Sequence, residues 1–172
     1  MSESLRVEQR EVWVGGLSRS QLLGSLSSHG IHLNAYAEAL LASESFDDRV
    51  ARPIVVTELT VAELGLANGA PLSRIFWAAE QQGLSLCPVD TGPYLRLALH
   101  EQTTSSNPLM SSGYAPEGSL TIASAPISDD DEYPKGFYLR VVDRQAWLRG
   151  YRCDNEHQWS RDDRFVFRDG PA

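Results

Sequence analysis

The sequence predicts a single α+β domain in which N-terminal helices pack on a mainly antiparallel C-terminal sheet. Apolar residues recur at helical spacing in the first half of the chain and alternate with polar residues in the second half. The later strands follow one another without helices between them, which favours antiparallel pairing. A length of 172 residues fits one domain with its own core over residues 1–172.

The first half begins with a short apolar strand at residues 11–14, which ends at two glycines. Ser18 and Gln21 then have the spacing of a capping box, which predicts a helix over residues 18–29. Asn34 is a favourable N-cap for a second helix that ends near residue 43.

The middle of the chain contains a buried strand at residues 54–58 and a third helix at residues 71–82. Pro71 suits the start of this helix and Gly83 its end. The apolar residues with helical spacing are Leu72, Ile75, Phe76 and Ala79. Thr60 and Glu63 form a further capping box, but nearby glycines limit that segment to about one turn.

The second half is predicted to be mainly strands. Leu95, Leu97 and Leu99 alternate with Arg96, Ala98 and His100, which indicates a half-buried strand over residues 94–100. Residues 101–118 are rich in serine, proline and glycine and predict a long irregular loop, a candidate lid. Further strands are expected at residues 120–122, 137–142, 147–151 and 165–167, with a turn at Asp143 and Arg144.

The composition restricts the partners and the compartment. The net charge of −8 disfavours nucleic acid and anionic membranes as partners. No apolar run approaches the roughly 20 residues that span a bilayer, and residues 2–9 are too polar for a signal peptide. The two cysteines are expected to be reduced thiols, and arginine far outnumbers lysine, as in proteins from GC-rich bacteria. We therefore expect a bacterial cytoplasmic protein.

The metal-binding residue types do not have the spacing of a metal site. Cys153 and His157 are four residues apart but lack a second close Cys/His pair, so no cofactor or metal is predicted. The acidic run at residues 129–132 lacks the interleaved spacing of a calcium loop and is better explained as a solvated turn that could receive a basic partner. His29 and His32 flank the end of the first helix, where capping is the simpler explanation.

A hydrolytic enzyme of unrecognised type is the alternative functional hypothesis. Its candidate residues are Cys87, Arg96, His100 and the Asp162-Asp163 pair, near a pocket beneath the 101–118 loop. Sequence alone does not bring these groups together. A buried cysteine at a strand end is more often a small core residue than a nucleophile.

The favoured hypothesis is a non-catalytic protein-binding or accessory protein that uses the exposed face of the C-terminal sheet. The candidate binding residues are Trp147, Arg149, Tyr151, Arg152 and Trp159. Tryptophan, tyrosine and arginine often anchor interfaces, although tryptophans in small domains are also commonly core residues. Residues 140–169 contain seven arginines and six carboxylates, so their net charge of about +1 argues against phosphate binding.

Three segments resemble a family of small bacterial proteins of unknown activity. They are Gly83-Leu84-Ser85-Leu86-Cys87-Pro88, Gly92-Pro93-Tyr94-Leu95-Arg96-Leu97 and Trp159-Ser160-Arg161-Asp162-Asp163-Arg164-Phe165-Val166-Phe167. The similarity covers roughly residues 60–168. It implies a bacterial origin and assigns no catalytic residue.

Overall fold

In the computed structural model, residues 9–99 and 118–171 are described, and they form a mixed eight-stranded sheet curved into a half-barrel. The strands are β1 (Gln9–Val14), β2 (His32–Leu33), β3 (Arg52–Thr60), β4 (Leu84–Ser85), β5 (Leu120–Ile122), β6 (Gly136–Val142), β7 (Gln145–Tyr151) and β8 (Arg164–Asp169). Their order is β1-β3-β8-β5-β6-β7-β2, and β4 also pairs with β8. The β5–β8 and β2–β7 pairs are parallel and the other pairs are antiparallel.

The predicted fold class is wrong. The helices α1 (Arg19–Ser28), α2 (Ala35–Leu41), α3 (Leu72–Gln81) and α4 (Thr91–Ala98) are scattered through the chain, with short 3-10 helices at Glu44–Phe46 and Ala62–Leu64. The sheet is mixed and includes N-terminal strands: β1 and β3 form one side of it, and β2 forms the opposite edge. Periodicity identified most elements but carried no information on which distant strands pair.

Both faces of the sheet are covered. On the face that we call the first, α1, α2 and α4 pack on Phe137, Leu139 and Leu148. On the second face, α3 packs on residues that include Phe165 and Phe167. Because successive residues of a strand point to opposite faces, each of the central strands contributes to both cores.

Local capping signals define several helix starts as the sequence predicts. The Ser18 hydroxyl accepts from the Gln21 amide, and the Gln21 side chain accepts from the Ser18 amide. The Thr60–Glu63 pair forms the same reciprocal bonds before the 3-10 helix at Ala62–Leu64. The predicted helices at residues 18–29 and 71–82 are confirmed within one or two residues.

The predicted strand at residues 94–100 is wrong because residues 91–98 form the helix α4. The side chains that α4 buries include that of Arg96, which is 1% exposed. Because Arg96 is buried, its charge does not mark the exposed side of α4. Leu95, Leu97 and Leu99 therefore give the sequence an apparent period of two. Pro93 is tolerated because it stands in the first turn, where no intrahelical amide bond is needed.

The predicted C-terminal strands are confirmed as β5, β6, β7 and β8. β6 and β7 form a hairpin whose turn residues, Asp143 and Arg144, have φ of 52° and 68°. These angles suit the two-residue turn that follows the twist of a hairpin. The predicted loop at residues 101–118 lies outside the described residues, apart from Gly118.

The side chain of Asn34 connects α2 to β7. Its Oδ1 atom accepts from the Ala37 amide at 2.8 Å, which caps α2, and from the Gly150 amide at 2.9 Å. Its Nδ2 atom donates to the Gly150 carbonyl at 3.1 Å. Asn34 therefore bonds this edge of β7 as a neighbouring strand would, directly beyond the two-residue pairing with β2.

Candidate functional site

The strongest candidate site is a cluster of aromatic and arginine side chains on the second face of β2, β6 and β7. We call it the arginine–aromatic surface; its accessible members are His32, Trp147 and Arg149, and the adjoining Tyr138 and Arg140 are buried, at 5% and 0% exposure. The strand register places Tyr138 opposite Arg149, Arg140 opposite Trp147, and His32 beside Trp147. The alternation of β6 and β7 therefore puts two arginines and two large aromatic residues on one face.

Arg149 lies at the centre of this surface. Its Cζ atom is 4.9 Å from the ring centroid of Trp147 and 6.0 Å from that of Tyr138. The rings of His32 and Trp147 are 5.0 Å apart. In the part of the chain that the structure describes, no carboxylate pairs with Arg149, and its buried Nε atom has no hydrogen-bond partner. The aromatic rings thus hold a guanidinium whose charge is not matched locally.

The electrostatics of the surface also favour an anion. Burial lowers the pKa of Arg140, and the nearby charge of Arg149 lowers it further. Burial raises the pKa of Tyr138, whereas the two arginines oppose that shift. Because Arg140 is fully buried and Arg149 is partly exposed, Arg149 is the arginine of this surface that an anion from solvent can reach.

The structure separates the five binding residues that the sequence predicts. Trp147 and Arg149 lie together on the surface. Tyr151 and Trp159 are 4% and 3% exposed and pack edge to face in the core of the second face, so their main role is structural. Arg152 is exposed, but it pairs with Glu132 at 2.8 Å and stacks on Tyr36 of α2.

Sequence reasoning missed three members of the surface. Tyr138 and Arg140 lie on a strand that alternation predicts, but their position beside Arg149 depends on the β6–β7 register. His32 was expected to cap the first helix, and instead it lies in β2 and contacts Trp147. His29 does bond the helix end, through its Nδ1 atom and the Ser25 carbonyl.

The candidate catalytic residues have structural contacts. The Cys87 thiol is buried and donates to the Val166 carbonyl at 3.6 Å, and burial raises its pKa to about 12. Arg96 donates to the backbone carbonyls of Leu99 and Arg140, the latter at 3.4 Å. His100 lies outside the described residues. Cys87 therefore lacks the thiolate character of a nucleophile at neutral pH.

Of the acidic pair, Asp162 is exposed, whereas Asp163 is buried in a turn. The Asp163 carboxylate accepts from the Ser160 amide at 2.8 Å, and its backbone carbonyl accepts from Val61. Burial raises the pKa of Asp163 to about 6, although the bond from Ser160 opposes the shift. The carboxylate closes the turn of residues 160–163, directly before β8.

Asp163 is expected to make stability depend on pH. Because its folded pKa is above the unfolded value, folding favours the protonated form, and the free energy of unfolding falls as pH rises from about 4 to 6. The Asp163→Asn variant lacks this titration, so its stability relative to the natural protein should rise by up to roughly 3 kcal/mol across that range. Urea unfolding at several pH values measures the difference, and a difference independent of pH would contradict the assignment.

Potential metal ligands are not clustered in the described part of the chain, where no group of three or more His, Cys, Asp or Glu residues is placed to hold an ion. Two residues of the acidic run form ion pairs instead, Asp131 with Lys135 at 3.3 Å and Glu132 with Arg152. None of the described helices is long and apolar enough to span a membrane.

A groove adjoins the arginine–aromatic surface at the β2 edge. Its volume is about 420 Å³, and it runs between α1, β2 and the start of α2. It is lined by Leu23, Leu26, Ser27, Gly30, Ile31, His32, Leu33 and Glu38. His32 belongs to both features, because it lines the groove and also contacts Trp147.

Comparisons with known proteins found no matching family model, no similar curated protein and no similar solved structure. The resemblance to small bacterial proteins therefore stays an expectation, and the geometry of the site carries the functional argument.

Proposed function

We propose that the protein is a non-catalytic binding or accessory protein that binds another protein through the arginine–aromatic surface. The observation that carries the proposal is Arg149, a cation held between Trp147 and Tyr138 with no carboxylate partner among the described residues. Tryptophan, tyrosine and arginine are the residue types that most often dominate binding energy at protein interfaces.

The charge of the chain favours a protein over nucleic acid as the partner. Arg149 is a local positive charge in a protein of net charge −8, and that net charge repels a long phosphate backbone. An acidic patch on a protein can pair with Arg149 without bringing such a continuous negative charge close to the rest of the molecule. The proposal includes a bacterial cytoplasmic location, which fits the two free cysteines, Cys87 and Cys153.

Partner capture with paired variants tests the proposal. The immobilised full-length protein is incubated with extract of the source organism, and the proteins it retains are quantified. We expect Trp147→Ala and Arg149→Ala each to reduce partner retention at least tenfold, because each removes an anchor. Arg74→Ala removes the same charge from the exposed side of α3 and is expected to retain the partner.

Titration with single-stranded DNA and RNA tests the competing function. At about 50 mM salt, phosphate contacts are strong, so a nucleic-acid-binding protein should bind tightly. We expect no binding at micromolar concentrations. Micromolar binding that Arg149→Ala abolishes would overturn the proposal, as would a partner that both surface variants retain.

A further inference from the structure

We infer that the surface and the groove together bind an extended segment of the partner that carries one acidic and one apolar side chain. The carboxylate would pair with Arg149, and the apolar side chain would enter the groove on the far side of His32. This inference rests on the proposed function and names the chemistry of the partner.

The acidic part follows from the charges that face the site. The residues that the strand register places on the second face of β2, β6 and β7 are His32, Gly136, Tyr138, Arg140, Val142, Gln145, Trp147, Arg149 and Tyr151. They include no carboxylate, and of their two arginines Arg149 is partly exposed whereas Arg140 is fully buried. A guanidinium can hold a carboxylate through two parallel hydrogen bonds, and among the described residues no carboxylate pairs with Arg149.

The apolar part follows from the walls of the groove. Leu23, Ile31 and Leu33 are half-buried and line it. Its volume of about 420 Å³ exceeds what one aliphatic side chain occupies, so a leucine or phenylalanine can enter with its backbone at the rim. The Glu38 carboxylate also lines the groove and would repel a second acidic group there. The two subsites therefore select different side chains.

The distance between the subsites suits a short peptide. His32 lines the groove, its ring is 5.0 Å from that of Trp147, and the Trp147 ring is 4.9 Å from Cζ of Arg149. An extended chain advances about 3.3 Å per residue, so roughly three residues cover this path. The acidic and apolar residues of the partner should accordingly lie two to four positions apart, with the backbone between them passing over Trp147.

Selection from a peptide library tests the inference. A phage-displayed library of random 12-residue peptides is selected on the full-length natural protein. We expect the selected peptides to contain Asp or Glu two to four positions from an aliphatic or aromatic residue. In fluorescence anisotropy with a labelled synthetic copy, replacing the acid by its amide or the apolar residue by serine should weaken binding at least tenfold.

Two neighbouring serines of α1 provide a matched pair of protein variants. Ser27 is exposed and lines the groove, whereas Ser28 is exposed and does not line it. Ser27→Phe should fill the groove and weaken peptide binding at least tenfold, while Ser28→Phe should change it less than twofold. Arg149→Ala should also weaken binding at least tenfold, with Arg74→Ala as its control.

The outcomes separate this inference from the proposed function. Selected peptides that bind Ser27→Phe as tightly as the natural protein, peptides rich in basic residues, or no enrichment at all would overturn the inference. The proposed function would still stand if partner capture depended on Trp147 and Arg149. Both would fail if the captured partner and the selected peptides were indifferent to Arg149→Ala.

Discussion

Replacing Gly150 by alanine is expected to lower the free energy of unfolding by about 3 kcal/mol. A β-carbon at this position of β7 would lie 2.7 Å from the carbonyl carbon of Tyr36, 2.8 Å from its Cβ atom and 2.9 Å from the amide nitrogen of Ala37. These are atoms of α2, mostly of its backbone, so no side-chain rotation can relieve the overlap. The helix would have to move away from the sheet.

Gly24→Ala is the matched control for this substitution. Gly24 lies in the interior of α1, and a β-carbon there would have no heavy atom within 4 Å. Alanine should therefore stabilise the helix by about 0.5–1 kcal/mol. Urea unfolding of the two variants should give shifts of opposite sign, and a Gly150→Ala variant as stable as the natural protein would show that α2 does not pack as described.

Asn34→Ala is expected to destabilise the protein by about 2–3 kcal/mol. The change removes the N-cap of α2, which is worth about 1 kcal/mol, and the two hydrogen bonds to Gly150, worth about 1 kcal/mol each. It also exposes the backbone groups of Gly150 at an edge of the sheet.

Asn34→Ser separates these contributions. Serine is as good an N-cap as asparagine, but its shorter side chain has no amide with which to bond both backbone groups of Gly150. The serine variant should therefore have a stability between those of the alanine variant and the natural protein in urea unfolding. Equal stability of the serine and alanine variants would mean that the cap contributes nothing measurable.

The substitutions at Gly150 and Asn34, which disturb the packing of α2, are also expected to affect the candidate site. α2 carries Glu38, which lines the groove, and it packs on β7, which carries Trp147 and Arg149. A displaced α2 should thus weaken peptide binding as well as stability. Ser27→Phe, at an exposed position, should affect binding alone.

Trp147 and Arg149 illustrate how far sequence reasoning reaches into the site. Both were predicted from the combination of residue types on one alternating strand, and the structure places them together. Tyr151 fits the same pattern, yet it is buried, and Trp159 packs edge to face on its ring. Alternation shows which residues share a face, but it does not show which part of that face is covered.

Signals carried by neighbouring residues were sufficient to predict several helix starts and the β6–β7 turn. The capping pairs at Ser18 and Thr60, the N-cap Asn34 and the turn at Asp143 act over a few residues of chain, and the structure has each of them. Net charge is likewise a property of the sequence alone, and it disfavours nucleic acid as the partner.

Contacts between distant residues were decided only by the tertiary structure. The parallel pairing of β2 with β7 brings His32 to Trp147, and the β6–β7 register brings Arg140 and Tyr138 to Arg149. Burial of Arg96 hid the helical period of α4. In each case the stabilising contacts join residues that are far apart in sequence, so a pattern of neighbouring residues does not predict them.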